Sequence, residues 1–232
     1  MRQGVRHGIK IMVIMIMIQK HDDHHLKWEF SEGSNPMRVS KDTMAEHREQ
    51  IIAAAASRFR EHGFDGISVA DLMKEVGLTH GGFYGHFSSK EELVALASLR
   101  AMNETAARWK KIIDEASGDP LEALAKFYLS QRHLENPQTG CIFAALGGDL
   151  GRQPSSVRDA VTQGEQQLLD LLAGVVPGKT EAARKKKAIV AFSNLIGGMI
   201  LARSISNAKL REEILDTLAA AIPVSVQAST TA

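Results

Sequence analysis

The sequence predicts an all-α fold, and three observations carry that reading. From residue 42 onward apolar residues recur at spacings of three and four, the repeat of a helix face, rather than in strand-like alternation. Beyond residue 40 β-branched residues rarely cluster, and the whole chain holds six prolines. Ser, Thr and Asp stand just ahead of the periodic stretches and Gly just after several of them, which is how helices are capped. About nine helices result, as an N-terminal three-helix unit followed by a longer helical remainder.

The first helix is "DTMAEHREQIIAAAASRFREH", residues 42–62, with Ile51, Ile52, Ala55 and Phe59 on one face and Gly63 as its stop. Ser68 with Asp71 opens a second helix, "VADLMKEV", that buries Val69, Leu72, Met73 and Val76. Gly77 ends it, suited to a left-handed turn. Thr79 caps a short third helix closed by Phe87. Ser88 with Glu91, or Ser89 with Glu92, then opens a long helix to about Ala116. Asp119 and Pro120 start the next, expected to run unbroken to about Glu135. A short helix in "CIFAALGGDL" follows, then Ser155–Leu172, about Thr180–Ser206 and Ala208–Ile222. The "RKKK" run at 184–187 reads as a solvated helix start.

Composition narrows function only loosely. With 44% hydrophobic and 24% charged residues the chain is of ordinary globular make-up, and a net charge of +1 gives no bulk attraction to nucleic acid. Cys141 is the single cysteine, which excludes an intramolecular disulfide and fits a cytoplasmic location. No cofactor and no metal are expected. Residues 1–36 stand apart. Their apolar run, Ile11–Ile18, is too short to cross a bilayer. It follows basic residues as in an export signal, but no small-residue cleavage site comes after it. We read the segment as an extension, disordered or upstream of the native start near Met37, with a tether or an export signal as alternatives. His21, His24 and His25 beside Asp22 and Asp23 read as a solvated junction rather than a metal site.

Helix 69–76, the Gly77 turn and helix 79–87 have the spacing of a helix-turn-helix, whose second helix lies in the DNA major groove while the first crosses the backbone. Such hairpins also occur as purely structural units. The residues around it are more specific. "HREQIIAAAASRFREHGFDGISVADLMKEVGLTHGGFYGHFSSKEELVAL", residues 47–96, resembles the DNA-binding domain of the TetR/AcrR family of bacterial regulators. The Ala-rich first helix with "RFREHGF", the "ISVADLMKEVGLT" hairpin and "FYGHFSSKEEL" carry the likeness. It implies residues 37–92 as a DNA-binding domain, 93–224 as an effector-binding and dimerisation domain, and 225–232 as a flexible tail. The implied partners are a double-stranded DNA operator, a second copy of the chain and an unknown small-molecule effector, with no membrane. One departure is Met44 where the family's first helix begins Thr-Arg, leaving Lys41, His47 and Arg48 as substitute phosphate contacts.

The candidate DNA-contacting residues are Ser68, Thr79, His80, Gly81, Gly82, Tyr84, His86 and Lys90. Thr79 either caps its helix, contacts DNA, or does both. His80 is read as a base or phosphate contact. Tyr84 can set its hydroxyl on a phosphate. His86 is divided between phosphate contact and packing on the first helix, and Lys90 matches the family's phosphate-binding lysine. Residues 37–92 hold seven Lys/Arg against nine Asp/Glu, so any favourable field must be local. An α-helical wheel puts Gly81 and Gly85 opposite the Phe83/Phe87 anchor. Three glycines there either let the backbone approach DNA closely or are merely tolerated at a helix start.

For the remainder, Ile196, Gly197 and Ile200 in "AIVAFSNLIGGMILARSIS" and Leu210, Ile214 and Leu218 at four-residue spacing form the candidate dimer interface, with Gly198 as a second point of close approach. Phe127, Tyr128, His133, Cys141, Phe143 and Met199 are candidate pocket residues. Cys141 opens a helix and is either a buried inert thiol or a sensor of electrophiles. The function expected is a ligand-responsive transcriptional regulator, most simply a repressor that binds a palindromic operator as a homodimer and is released by a small molecule or electrophile. The alternatives are a helical interaction protein with a vestigial helix-turn-helix, and an enzyme. Against the enzyme, "LGGDLG" lacks phosphate-cradling spacing and no nucleophile–base set is evident.

Overall fold

Ser40 opens the first helix, α1 (Lys41–His62), by accepting the Thr43 N–H at 3.0 Å. The computed structural model describes residues 40–228, which form nine α-helices and two 3₁₀ segments, with no strand among the described residues. The extension at 1–36, its histidine cluster and the last four residues lie outside the described residues.

Helix α1 buries Ile51, Ile52, Ala55, Ala56 and Phe59 and stops at Gly63, whose φ of +84° suits only glycine comfortably. In α2 (Val69–Glu75) Leu72 and Met73 are buried while Val69 and Val76 are half-covered. The turn after it is a complete Schellman motif: Leu78 N–H reaches Met73 O at 2.8 Å, Gly77 N–H reaches Lys74 O at 3.1 Å, and Gly77 takes φ +75°. The third element differs from expectation. It is a 3₁₀ segment, His80–Gly85, rather than an α-helix. Its last turn relaxes, with Phe87 N–H bonding Phe83 O at 3.0 Å, and this brings both phenyl rings to one side, stacked 5.3 Å apart.

Helix α3 (Lys90–Asp114) is capped by Ser89, which accepts the Glu92 N–H at 3.1 Å. The Glu92 carboxylate reaches back to the Ser88 N–H and hydroxyl, both at 2.7 Å. The next stretch is two helices, not one: α4 (Pro120–Tyr128) and α5 (Gln131–Glu135). Ser130 makes the break, donating to Phe127 O at 2.7 Å and accepting the His133 N–H at 3.3 Å. A 3₁₀ turn, Pro137–Thr139, leads to α6 (Ile142–Leu150). Then follow α7 (Ser155–Val175), α8 (Glu181–Ser204) and α9 (Ala208–Ala228). Helix α9 runs through Pro223 beyond its expected end, since Ile222 and Val226 are both core residues at 1% exposure. The lysine run also differs: Lys185 and Lys186 are exposed, but Lys187 is buried.

One hydrophobic core runs from Ile51 to Val226. Its most extensive contact joins α3 to α7, where Gly164 lets the helices close up: a Cβ there would stand 2.3 Å from Met102 Cβ. Helix α9 closes the other side on α8 and α4, and α1 rests on α3.

Candidate nucleic-acid interface and ligand cavity

The hairpin is anchored from beneath. Phe83 and Phe87 are 1% and 2% exposed, and burying each contributes roughly 1.5–3 kcal/mol. That fixes which side of the 3₁₀ segment faces out. Thr79, His80 and Gly81 are exposed, and Tyr84 is 71% exposed, its ring edge-on to Phe83 at 5.3 Å. Thr79 occupies the cap position but its hydroxyl makes no capping bond, so the expected cap is not formed and the hydroxyl stays available. Ser68 is exposed and caps α2, accepting the Asp71 N–H and donating to the Asp71 carboxylate at 2.6 Å.

The glycines resolve differently from the α-helical wheel. At three residues per turn Gly81 shares a row with Tyr84, and Gly82 shares one with Gly85. A Cβ on Gly81 would meet nothing within 4 Å, one on Gly82 would touch Thr79 Oγ1 at 3.6 Å, and one on Gly85 would touch Met44 at 3.9 Å. None of the three has a positive φ. Neither the backbone nor the interior therefore demands glycine at any of them.

Several candidate cations are committed within the chain. Arg48 donates to Glu92 at 3.0 Å and to the His86 carbonyl at 3.4 Å, and covers the Phe87 ring at 5.0 Å. It braces the hairpin, which corrects its reading as a free phosphate contact. His86 is half-buried, edge-on to His47 at 6.1 Å. Burial, then His47 and Arg48, hold its pKa below the ordinary value. Packing on α1 is the role its geometry fits. Lys90, at the first position of α3, lies 3.5 Å from the fully exposed Asp65 carboxylate, a pair weak enough to exchange for another anion. Lys41 is exposed at the start of α1.

The helical body contains a cavity of about 320 Å³ among α3, α4, α5 and the loop before α6. Phe127, Tyr128, His133 and Cys141 line it. Phe143 and Met199 do not: Phe143 packs edge-on against Phe192 at 5.7 Å, and Met199 is fully buried in the core. Sequence reasoning missed Trp109 and Arg108, which also line it. On the α3 face one turn separates each pair of Thr105, Arg108 or Trp109, and Ile112, a pattern visible once α3 is known to border the space.

Cys141 is 2% exposed and its N–H donates to His133 Nε2 at 3.1 Å. His133 Nδ1 faces the Tyr128 carbonyl at 2.7 Å, so the imidazole is the neutral Nδ1–H tautomer. Burial, only partly offset by that carbonyl, and then Arg203 and Arg108 push His133 down to about 4. The Tyr128 hydroxyl is raised well above its usual range by burial and then by the neighbouring Cys141. Arg203 clamps the same corner through His133 O at 2.6 Å. Arg60, from α1, ties the hairpin domain to it by donating to Gly140 O at 2.8 Å, next to Cys141.

The candidate interface residues divide. Ile200 and Leu210 are exposed, and Ile196, Gly197 and Ile214 are half-covered. Leu218 turns inward onto Gly198, where a Cβ would meet Leu218 Cδ1 at 2.5 Å, so Gly198 serves packing within the chain. The sequence reading missed Ile189, Val190, Leu201 and Val224, which are 45–63% exposed.

A three-element hairpin on a helical body with an internal cavity is a helix-turn-helix architecture. Residues 51–97 match the family model described as bacterial regulatory proteins, tetR family. Over that segment the chain is similar to the DNA-binding region of the TetR family. It is 37% identical over 95 residues to the HTH-type transcriptional regulator TtgR of Pseudomonas putida, covering 40% of this chain and 44% of that protein. It is 22% identical over 138 residues to the HTH-type transcriptional repressor NemR of Escherichia coli, covering 58% and 69%. The chain thus spans under half the length of the first of these curated relatives. Among solved structures, reduced NemR aligns with a TM-score of 0.64 at 18% identity, over 76% of this chain and 95% of that one. A TetR regulator of Chloroflexus aurantiacus aligns with a TM-score of 0.64 at 23% identity, over 78% and 96%. No helix among the described residues is long and apolar enough to cross a membrane.

Proposed function

We propose that the chain is a transcriptional regulator, a repressor that binds a two-fold symmetric double-stranded operator as a homodimer in the cytoplasm and lets go when a small molecule enters the cavity. The observation that carries this reading is the outward face of the hairpin. Gly81 and Gly85 are exposed where neither φ nor packing requires glycine, beside exposed Thr79, His80 and Tyr84 on a rigid aromatic anchor, with Gly82 half-covered between them. Bare backbone at that face suits close approach to a duplex, with Thr79 and His80 at base edges and Tyr84 and Lys90 on phosphates. The apolar faces of α8 and α9 around Gly197, Ile200, Leu201 and Leu210 supply the two-fold interface that a paired half-site needs. Retarded migration of the DNA upstream of the chain's own gene, titrated with salt, tests the reading. A vestigial hairpin or an enzyme would retain no DNA specifically.

In that assay Lys90→Ala is expected to weaken binding on every sequence and to lower the salt slope by about one ion. An unchanged slope removes Lys90 from the phosphate contacts. The double variant Gly81→Ala/Gly85→Ala is expected to leave the fold as stable or slightly firmer, since both added methyls find room, while weakening operator binding roughly tenfold or more. Unweakened binding would mean that the glycines are merely tolerated.

A second route of release is a covalent one at Cys141, favoured by its place in the cavity wall. If the thiol is the sensor, a maleimide releases the operator from the wild type and not from Cys141→Ser. Equal behaviour of the two leaves Cys141 as a packing residue.

A further inference from the structure

We propose that the cavity takes a small organic carboxylate, an apolar or aromatic body with one acid group, and that Arg108 holds the charge. This rests on the reading that the cavity is the effector site. Its volume of about 320 Å³ is that of a small-ligand site. Trp109, 1% exposed and edge-on to Tyr128 at 5.7 Å, joins Phe127 and Ile112 as an apolar wall for the body of the ligand.

The charge balance of the lining points to an anion. Arg108, Lys111 and Arg132 face a single acid, Glu115, and Glu115 already lies 4.0 Å from Lys111. Arg108 is half-buried on α3, and its guanidinium makes no hydrogen bond or ion pair among the described residues. Its field works against the protonated forms of Arg60 and His133. Charges withdrawn from water are ordinarily paired, so a half-covered guanidinium set among other cations lacks its counter-charge. A carboxylate supplies it, with two oxygens matched to the planar fork. His133 is neutral and bonded on both nitrogens, so it does not compete for the anion.

Calorimetric titration of the full chain without DNA tests this, using benzoate, cinnamate, 2-naphthoate and octanoate, their methyl esters, and 2-naphthyl phosphate. The expected result is that at least one acid binds at least tenfold more tightly than its ester and than the phosphate. Arg108→Gln should lose tenfold or more for that acid with little change for the ester, and Arg108→Lys should recover part of it. Binding of none of the acids, esters equal to acids, preference for the phosphate, or an Arg108→Gln variant that folds and binds the acid unchanged would each overturn the proposal. Should Arg108→Gln fail to fold, the acid–ester comparison on the wild type decides. Because no DNA is present, the two readings fail separately: acids bound by a chain that retains no operator sink the regulator reading alone, and operator binding with esters preferred sinks the carboxylate alone.

Discussion

Arg60→Met is expected to destabilise the chain by about 2 kcal/mol, lowering the thermal midpoint by roughly 4–8 °C for a protein of this size. The side chain is 3% exposed and fully used, with Nε on Ala56 O at 2.7 Å, Nη1 on Gly140 O at 2.8 Å and Nη2 on the Glu104 carboxylate at 3.0 Å. Methionine keeps most of the volume, so the loss is polar rather than a cavity. The buried Gly140 carbonyl is left unpaired, which costs about 1–3 kcal/mol. Glu104 suffers less, because it is 37% exposed and keeps Arg100 at 3.0 Å. Part of the penalty is returned, since burial disfavours the Arg60 charge and holds its pKa below the ordinary value. Differential scanning calorimetry reads the outcome, and an unchanged midpoint would show that the guanidinium bonds offset no more than their desolvation.

The same variant carries a functional expectation. Arg60 is the side chain through which α1 holds the cavity wall, because Gly140 lines the cavity and precedes Cys141. A ligand that displaces the 139–141 loop would therefore pull on α1 and shift the hairpin it supports. Coupling of this kind requires an element whose two arrangements both sites bias. In Arg60→Met, operator affinity without effector should stay within a few-fold of wild type, while release by effector should weaken tenfold or more. Release that is unaltered would place the coupling elsewhere, with the α1–α3 contact as the next candidate.

What the sequence displayed and what it concealed follow from the range of the interactions involved. Helix starts at Ser68, Ser89 and Asp119 are bonds over two or three residues, and the residues themselves announce them. The Gly77 turn was legible for the same reason. The 3₁₀ character of His80–Gly85 was not, because no local pattern distinguishes it from a short α-helix; the Phe83/Phe87 anchor is held by burial in the core and by Arg48 of α1 over the Phe87 ring. The break at Leu129–Ser130 was missed although its cap is local, with Ser130 accepting the His133 N–H and the Tyr128 carbonyl meeting the His133 ring; only the Arg203 bond to the His133 carbonyl, from seventy residues on, is tertiary. Arg48 read as a phosphate contact and Arg60 drew no reading at all, for want of any sign of Glu92 and Gly140, which lie 44 and 80 residues away. The pocket was half legible: its aromatic members stand out as residue types, whereas Arg108 is one charged residue among many until its place in the cavity wall, without an ion pair among the described residues, is seen in three dimensions.

His133 supplies a second large effect, in pH. Its folded pKa is about 4 against an ordinary value of 6.5. Above pH 6.5 the ring is neutral in both folded and unfolded chains and contributes no pH dependence. Between 6.5 and 4 the unfolded chain takes up a proton that the folded ring refuses, so the unfolded state binds more protons and stability falls as pH falls. The slope approaches about 1.4 kcal/mol per pH unit, and the loss across the window sums to about 3 kcal/mol. Below 4 the folded ring protonates as well and the loss stops growing. The refusal has a structural cause. A proton on Nε2 would abolish the acceptor for the Cys141 N–H at 3.1 Å and face it with a second donor, beside the Arg203 guanidinium. The difference in unfolding free energy between wild type and His133→Gln, measured from pH 7.5 to 4.5, isolates this contribution from the other titrating groups. It should narrow steadily as the pH drops, because glutamine can keep one of the two bonds and does not titrate. A difference that stays constant across the window would show that His133 takes its proton in the folded chain as readily as in the unfolded one, and that the loop before α6 does not depend on a neutral ring.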